Sequence, residues 1–211
     1  MTSYINILPF VRKWEGGEVY FPEEKQWTNR GVQWNTYKQL APKLLGIQNP
    51  TVSDLRNMSQ EDGDKFIKYY WDKATFNNSI KNQAAANAFF EAYWGGGKSG
   101  LKWLQNKIGV FPDGIVGKKT VAKANQYDSE FILKEVLNRF NYLATSNPSR
   151  YGRFLKGWTN RWNDLYNRSK VYFVKSDELL DKPAEDNTNT KILQIAALFS
   201  VGFVIYKLIT K

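Results

Sequence analysis

The sequence of 211 residues contains neither cysteine nor histidine. Their absence excludes thiol nucleophiles, Ser-His-Asp triads, disulfides, and metal sites built from thiolates or imidazoles. Any catalysis by this chain must therefore depend on carboxylates or on Lys, Tyr, Ser or Thr side chains. The sequence accordingly predicts no bound metal and no cofactor.

A secretory signal is not recognisable either, because the N-terminal residues lack a basic start, an apolar run and a small-residue cleavage site. The long apolar run lies instead at residues 192–209, and as a helix it would extend about 27 Å. A buried C-terminal helix is the alternative, but the run is apolar on all sides and follows a polar stretch. We therefore predict a polar linker over residues 175–190 and a single transmembrane helix over residues 191–210.

Aromatic residues and positive charge are abundant. Aromatics make up 16% of the chain, with 8 Trp and 12 Tyr, which indicates that some rings line a groove that binds sugars or bases. The 30 Lys and Arg against 20 Asp and Glu give a net charge of +10. Such a charge favours polyanionic partners, whether nucleic acid, anionic lipid or bacterial envelope polymers.

Apolar residues recur at helical spacing through most of the chain, and alternation typical of strands is nearly absent. The first helix is predicted over residues 7–15, with Asn6 as a cap and two glycines at its end. Ser59 is predicted to cap a second helix that carries Phe66 and Trp71. Further helices are predicted over residues 82–94, 101–108, 129–146 and 150–172. The predicted fold is therefore mainly α.

Glu15 is the first candidate for chemistry. It ends a predicted helix behind apolar residues, so the helix dipole and partial desolvation should both raise its pKa. A carboxyl that stays protonated near neutral pH can donate a proton to a glycosidic oxygen. Glu23 and Glu24 follow in the next loop, and glycosidic cleavage usually needs two carboxyl groups. The alternative is a solvated helix end and a charged loop.

The run Trp14-Glu15-Gly16-Gly17, followed by Pro22, Glu24, Thr28, Asn29 and Gly31, resembles the opening of the phage and prophage muramidases of glycoside hydrolase family 108. The resemblance implies a lysozyme-like fold in which Glu15 is the catalytic acid. It places Glu24, or failing it Glu23, as the second carboxylate, and Thr28 as a residue that helps to hold the attacking water. The sequence departs from the family where Glu24 replaces an aspartate and residues 25–27 replace a glycine-rich stretch.

The resemblance continues to about residue 170. Leu104-Gln105, Asp113-Gly114, Gly117 and Thr120 are similar to the family's predicted peptidoglycan-binding segment, and Gly157-Trp158 with Arg161 is similar to its closing helix. Between residues 95 and 125 six lysines face one acid, which would suit an anionic envelope. The implied division is a catalytic region (1–94), a peptidoglycan-binding segment (95–126) and closing helices (127–174). Turn formation alone also explains the glycines.

Several residues near these motifs are candidates for substrate binding. Trp27, Tyr93, Trp94 and Trp158 offer rings on which sugars stack, although aromatic residues at helix ends also serve as core packing. The resemblance adds Glu23 and Asn29 as polar contacts in the loop.

The sequence thus predicts a peptidoglycan hydrolase that cleaves the β-1,4 bond by carboxylate catalysis, for phage lysis or cell entry. The alternative is a catalytically inactive, peptidoglycan-binding and membrane-anchored virion protein. No helix-turn-helix, OB or RRM signature is present, so no nucleic acid partner is expected. The expected partners are peptidoglycan, a lipid membrane through residues 191–210, and a holin or other phage proteins. The expected location is the host inner membrane or an internal virion membrane.

Overall fold

A computed structural model describes residues 2–22 and 25–173, most of which are helical. In chain order, the α-helices of this part are α1 (Leu8–Trp14), α2 (Trp34–Leu45), α3 (Val52–Arg56), α4 (Gln60–Thr75), α5 (Gln83–Lys107), α6 (Lys118–Ala124), α7 (Ser129–Ser146), α8 (Pro148–Tyr151) and α9 (Leu155–Ser169). Short 3₁₀ turns cover Tyr4–Asn6, Gly152–Phe154 and Lys170–Tyr172. The prediction of a mainly α fold is confirmed.

A small antiparallel sheet follows α1 and was missed by the sequence analysis. Its strands are β1 (Glu18–Phe21), β2 (Gln26–Asn29) and β3 (Val32–Gln33), in the order β1-β2-β3. All four residues of β1 are exposed, so no alternation of buried and exposed residues marks it as a strand. β3 has two residues, which is too short for any periodic pattern.

The first half of α5 forms the centre of the core. Every residue from Gln83 to Ala92 is buried, and the helix packs mainly against α7 and α4. A second, smaller cluster lies beside β3 and contains Val32, Tyr37, Leu55 and Phe66. α1 contributes Leu8, Phe10 and Val11 to the main core, and Trp94 of α5 packs against both clusters.

The helix boundaries agree with the sequence best where caps or spacing were clear. α7 spans the predicted residues, and the Ser59 side chain accepts a hydrogen bond from the Asp62 backbone at the start of α4. Asn6 was the wrong cap for α1, because it lies in a 3₁₀ turn and Ile7 takes the cap position without a side-chain bond. The two helices predicted over 82–94 and 101–108 are joined as α5, with non-helical backbone at Gly97 (φ 55°, ψ −146°).

Buried Gln105 organises the loop that follows α5. Its amide nitrogen donates to Asp113 Oδ1 (2.8 Å), the Ile115 carbonyl (3.0 Å) and Thr120 Oγ1 (3.2 Å). Its amide oxygen accepts from the Gly114 backbone at 2.7 Å. The Gln, Asp-Gly and Thr of the recognised motif therefore form a hydrogen-bond network that fixes this loop. The domain division over residues 1–94, 95–126 and 127–174 stays a prediction.

The prediction of a membrane-anchored protein is not carried forward. Within residues 2–22 and 25–173, no helix has the length and apolar character needed to cross a bilayer. This finding overturns the predicted localisation at a host or virion membrane. The segment that motivated the prediction, residues 191–210, lies outside the described residues, as does the predicted linker over 175–190.

Candidate active site

Glu15 lies where α1 ends and the chain turns toward the sheet. Its backbone N–H donates to the Val11 carbonyl at 2.9 Å, which closes the last turn of the helix. Buried Leu8, Phe10 and Val11 anchor the same helix in the core. Gly17, with φ 81°, then lets the chain reverse into β1. The local sequence therefore fixes the Glu15 backbone and leaves its side chain at the edge of the core.

The two oxygens of the Glu15 carboxyl group have different surroundings. Oε1 accepts a hydrogen bond from Trp94 Nε1 at 2.9 Å and pairs with Arg161 Nη1 at 2.8 Å. Oε2 faces Gly31, where an added Cβ would lie 2.7 Å from it. Among the described residues Oε2 has no hydrogen-bond donor, so it is the oxygen that is free to carry a proton.

The surroundings of Glu15 favour its protonated form. Its side chain is 22% exposed, and this burial raises the pKa of the carboxyl group above its ordinary value. The cation of Arg161 and the hydrogen bond from Trp94 act in the opposite direction, while the charge of Glu91 raises the pKa further. The helix end adds to the effect, since the negative end of a helix dipole disfavours a carboxylate. Desolvation outweighs the pairing, and the pKa is raised.

A buried ion pair behind Glu15 limits the influence of Arg161. Arg161 Nε and Nη2 contact the two oxygens of Glu91 at 2.5 and 3.0 Å, with 12% and 3% of the two side chains exposed. Glu91 thus offsets part of the arginine charge that favours ionised Glu15. The sequence analysis noted Arg161 within a family motif without giving it a role, and Glu91 was not among the candidate residues. The signal for Arg161 was the Gly157-Trp158-x-x-Arg161 pattern.

Glu15 opens into a cleft of about 690 Å³ between the sheet and α5, here named cleft A. Aromatic residues and glycines make up most of its lining, together with Val19, Gln33 and two threonines. The lining residues besides Glu15 are Trp14, Gly16, Gly17, Val19, Phe21, Thr28, Gly31, Gln33, Thr36, Tyr70, Tyr93, Trp94, Gly95, Gly97 and Trp158. Val19, Thr28 and Gln33 are paired across the three strands, so one row of the sheet forms a wall. Among the described lining residues, Glu15 is the only carboxylate.

A second cleft of about 580 Å³, cleft B, meets cleft A at Glu15. The two clefts share Trp14, Glu15, Gly95 and Trp158. The remaining walls of cleft B are Glu91, Gly96, Ser99, Arg139, Phe140, Leu143, Tyr151, Gly157 and Arg161. Glu15 therefore lies at the junction of two open clefts, as expected for a group that acts in the middle of a long polymer.

Thr28 lines cleft A, but little of the residue is exposed. The residue is 8% exposed, and its Oγ1 is buried and makes no hydrogen bond within the described part of the chain. A buried hydroxyl normally has a partner. The wall of cleft A therefore contains a hydroxyl group whose hydrogen-bonding capacity is unused.

The structure brings together some of the predicted site residues and separates others. Tyr93 and Trp94 line cleft A with Glu15 and Thr28. Trp27 does not line it; the ring lies 5.4 Å from that of Tyr20, and the Arg56 guanidinium lies 4.3 Å from its centroid. Asn29 is buried, and its amide donates to the carbonyls of Leu55 and Arg56. Successive residues of a strand point to opposite faces of the sheet. Because Thr28 points toward cleft A, its neighbours Trp27 and Asn29 point to the other face.

The second predicted carboxylate cannot be placed. Glu23 and Glu24 both lie outside the described residues, in the connection between β1 and β2. Within residues 2–22 and 25–173, no group of three or more Asp and Glu residues could hold a metal ion.

Comparison with known proteins connects this site to peptidoglycan. Residues 99–163 match the family model described as "Predicted Peptidoglycan domain". The matched segment supplies Ser99, Arg139, Tyr151, Trp158 and Arg161 to the walls of cleft B. The match supports peptidoglycan as the partner of this protein. It also places the matched segment beside Glu15, in the wall of the same groove.

The fold is similar to that of a solved structure, SagA from Brucella abortus. The two chains are 23% identical, with a TM-score of 0.64, and the similarity covers 82% of this chain and 97% of that chain. At this identity the likeness shows a shared fold. No curated protein matches the sequence significantly.

Gly31 provides a test of how tightly the Glu15 side chain is held. A Cβ at Gly31 would lie 2.7 Å from Glu15 Oε2 and 2.7 Å from Trp94 Cζ2, so Gly31→Ala should displace both groups. Gly46 has the same φ of 76° with nothing within 4 Å, and Gly46→Ala is therefore a matched control for backbone strain. We expect Gly46→Ala to lose about 1–2 kcal/mol of stability from the left-handed backbone, and Gly31→Ala to lose more because its methyl group also displaces Glu15 and Trp94.

If Glu15 is the catalytic acid that the sequence predicts, only Gly31→Ala should also lower the rate of murein lysis, by about tenfold or more, because misplacement of a catalytic group by about 1 Å can cost this much. The measurements are urea unfolding and turbidity loss of purified murein. Equal lysis by the two variants would show that Gly31 does not position Glu15.

Proposed function

We propose that this protein is an N-acetylmuramidase that hydrolyses the β-1,4 bond between N-acetylmuramic acid and N-acetylglucosamine in peptidoglycan. The observation that carries the proposal is the Glu15 carboxyl group. It is largely buried, its pKa is raised, and it lies at the junction of two clefts. The peptidoglycan family match in the wall of cleft B supplies the substrate class.

Glu15 acts as the general acid in this proposal. Oε2 transfers its proton to the glycosidic oxygen while the bond from that oxygen to the anomeric carbon breaks. The carboxylate that remains is stabilised on Oε1 by Trp94 and Arg161. The environment thus raises the pKa of the acid before the reaction and still offers two donors to the charge that forms.

The attacking water adds its oxygen to the anomeric carbon and releases a proton. The Thr28 hydroxyl, which is buried in the sheet wall of cleft A, is suited to orient that water. The resemblance assigns the second carboxylate to Glu24, with Glu23 as the alternative, and this assignment remains a proposal from the sequence. A carboxylate at this position would accept the proton or stabilise the oxocarbenium-like transition state.

The aromatic walls of the groove suit a sugar chain. Tyr93 and Trp94 flank Glu15 in cleft A, and Trp158 lines both clefts. Their rings offer apolar faces to the carbons of a pyranose, while the polar edges stay available for hydroxyl groups. Glycan units on the two sides of the broken bond would occupy cleft A and cleft B.

Wall binding without catalysis is the second candidate function. The observation in its favour is that, of the described residues lining cleft A, only Glu15 is a carboxylate. In that case the groove would retain a glycan strand and leave it intact. The two functions differ in one measurable product.

Product analysis tests the proposal directly. Purified sacculi are incubated with the protein, reduced with borohydride and hydrolysed, and the reduced amino sugars are identified by mass spectrometry. Hydrolysis by a muramidase exposes new muramic acid reducing ends, so we expect muramitol to increase with time. Reduced glucosamine would indicate the other glycosidic bond. Retention on sacculi without new reducing ends would favour the binding function.

The biological setting rests on the sequence resemblance alone. Phage lysis or cell entry and a holin partner are implied by the phage-type muramidases, and they remain proposals. Lysis of cells that express the protein with and without a holin would test this setting.

A further inference from the structure

Arg139 of α7 is a half-buried cation in the wall of cleft B. Its Nη2 donates to Ser99 Oγ at 3.0 Å. Its guanidinium lies against the backbone of α5, where a Cβ added to Gly96 would be 2.8 Å from Nη1. The absence of a side chain at Gly96 thus makes room for the guanidinium, and Ser99 helps to orient it.

No carboxylate of the described chain neutralises Arg139. Within residues 2–22 and 25–173 it forms no ion pair, whereas Arg161 in the same cleft pairs with two carboxylates. Burial lowers the pKa of Arg139 below its ordinary value, opposed only weakly by Tyr151. A cation withdrawn from water without a partner is unfavourable, and an anionic ligand would compensate for it.

The position of Arg139 indicates which ligand supplies this anion. Cleft B begins at Glu15, and a glycan strand that crosses Glu15 must continue into it. Peptidoglycan differs from neutral polysaccharides in that its muramyl units carry a lactyl group and a peptide stem, and both can present carboxylates. The planar guanidinium donates two parallel hydrogen bonds to such a group.

We propose that Arg139 is a specificity residue that binds a carboxylate of the muramyl substituent in cleft B. The inference rests on the proposed function, because it takes the glycan strand as the occupant of the groove. It explains how a groove that offers aromatic rings to sugars would distinguish peptidoglycan from an uncharged glycan.

Binding measurements test this inference without requiring turnover. All variants are made in a Glu15→Gln background and titrated against insoluble sacculi. One portion of the sacculi is native, and in the other the carboxylates are converted to amides with a carbodiimide and ammonia. We expect Arg139→Gln to weaken binding to native sacculi about tenfold or more, and to leave binding to amidated sacculi unchanged.

Two further variants separate the loss of a positive charge in general from the loss of the Arg139 guanidinium. Lys119→Gln removes one positive charge from an exposed position of α6 that lines neither cleft, and it should bind native sacculi nearly as well as the parent. Arg139→Lys keeps the charge but loses the planar fork, so it should be intermediate. Melting temperatures show whether each variant is folded.

Gly96→Ala tests the geometry independently. The new methyl group would meet the guanidinium, which would have to move. The variant should bind native sacculi more weakly, and its melting temperature shows whether it is folded. Loss of binding to amidated sacculi as well would indicate that the methyl group simply blocks the cleft.

An amidase removes the stems by hydrolysing their amide bond to the lactyl group, and it leaves the lactyl carboxylate free. Sensitivity to Arg139→Gln that disappears on this treatment assigns the carboxylate to the stem, and sensitivity that survives shows that the free lactyl carboxylate of a stem-free unit is bound. Equal binding of Arg139→Gln and the parent to native sacculi would overturn the inference. That result would not bear on the proposed muramidase activity, which is tested by the release of muramitol. Conversely, absence of new muramitol in wild-type digests would overturn the proposed activity without changing the binding result for Arg139.

Discussion

Glu15→Gln is expected to abolish the lysis of purified murein while leaving the fold intact. Glutamine has nearly the same shape and still accepts hydrogen bonds from Trp94 and Arg161 through its oxygen, but it has no acidic proton to donate. General-acid catalysis contributes about two to four orders of magnitude to a rate, and this contribution should be lost. Turbidity loss and release of muramitol are the measurements.

Glu61→Gln is the matched control, because Glu61 is exposed on α4 and lines neither cleft. It should lyse murein at the wild-type rate. The circular dichroism spectrum should show the same helix content in both variants. More than a third of the wild-type rate in folded Glu15→Gln would remove Glu15 from the mechanism.

The position of Glu15 was predictable because the signals for it are local. Apolar residues at helical spacing and the two following glycines define a helix end, and burial follows from Phe10 and Val11. The same holds for α7, whose apolar residues recur at helical spacing over its whole length. Signals contained within one or two turns of the chain survive the formation of tertiary structure.

The sheet was not predictable in the same way. β1 has no buried residue, and its pairing with β2 depends on the reversal between them. Without the strands, a sequence reader cannot know that Thr28 faces the cleft while Trp27 packs beside Tyr20. Side chains in a strand point alternately to the two faces of the sheet. Since the strand was not predicted, this alternation could not be used to assign Thr28 and Trp27 to opposite faces.

The partners of Glu15 are distant in sequence, which explains why they were missed. Trp94 and Arg161 are brought to its Oε1 by α5 and α9, and Glu91 lies on α5. Nothing in the spacing of these residues shows that three helices meet at one carboxyl group. A family motif marked Arg161, but its contacts with Glu15 and Glu91 form only in the folded chain.

Breaking the buried Arg161–Glu91 pair should have the largest effect on stability. Arg161→Met leaves Glu91 with 3% of its side chain exposed and without its cation, and Glu91→Gln leaves Arg161 with only Glu15. Removal of one partner of a buried pair costs about 3–5 kcal/mol, so the free energy of unfolding in urea should fall by this order for Arg161→Met. The double variant Glu91→Leu with Arg161→Met should lose less than the sum of its single variants.

Arg12→Met is the control for the loss of an arginine near Glu15. Arg12 is on α1 and pairs with Asp64, but its side chain is 44% exposed, so its removal should change stability little. A loss as large as that of Arg161→Met would mean that burial does not govern the cost. Additivity in the double variant would mean that Arg161 and Glu91 are not energetically coupled.

The same two substitutions should move the pH dependence of lysis in opposite directions. In the proposed mechanism lysis requires protonated Glu15, so the rate should fall as the pH rises through the pKa of this group. Arg161 lowers that pKa and Glu91 raises it. Arg161→Met should therefore shift the alkaline limb of kcat/KM to higher pH, and Glu91→Gln should shift it to lower pH. The profiles are measured at a temperature where circular dichroism shows both variants folded. A structural role alone would lower the rate without separating the two limbs, and shifts in the same direction would exclude Glu15 as the group that titrates.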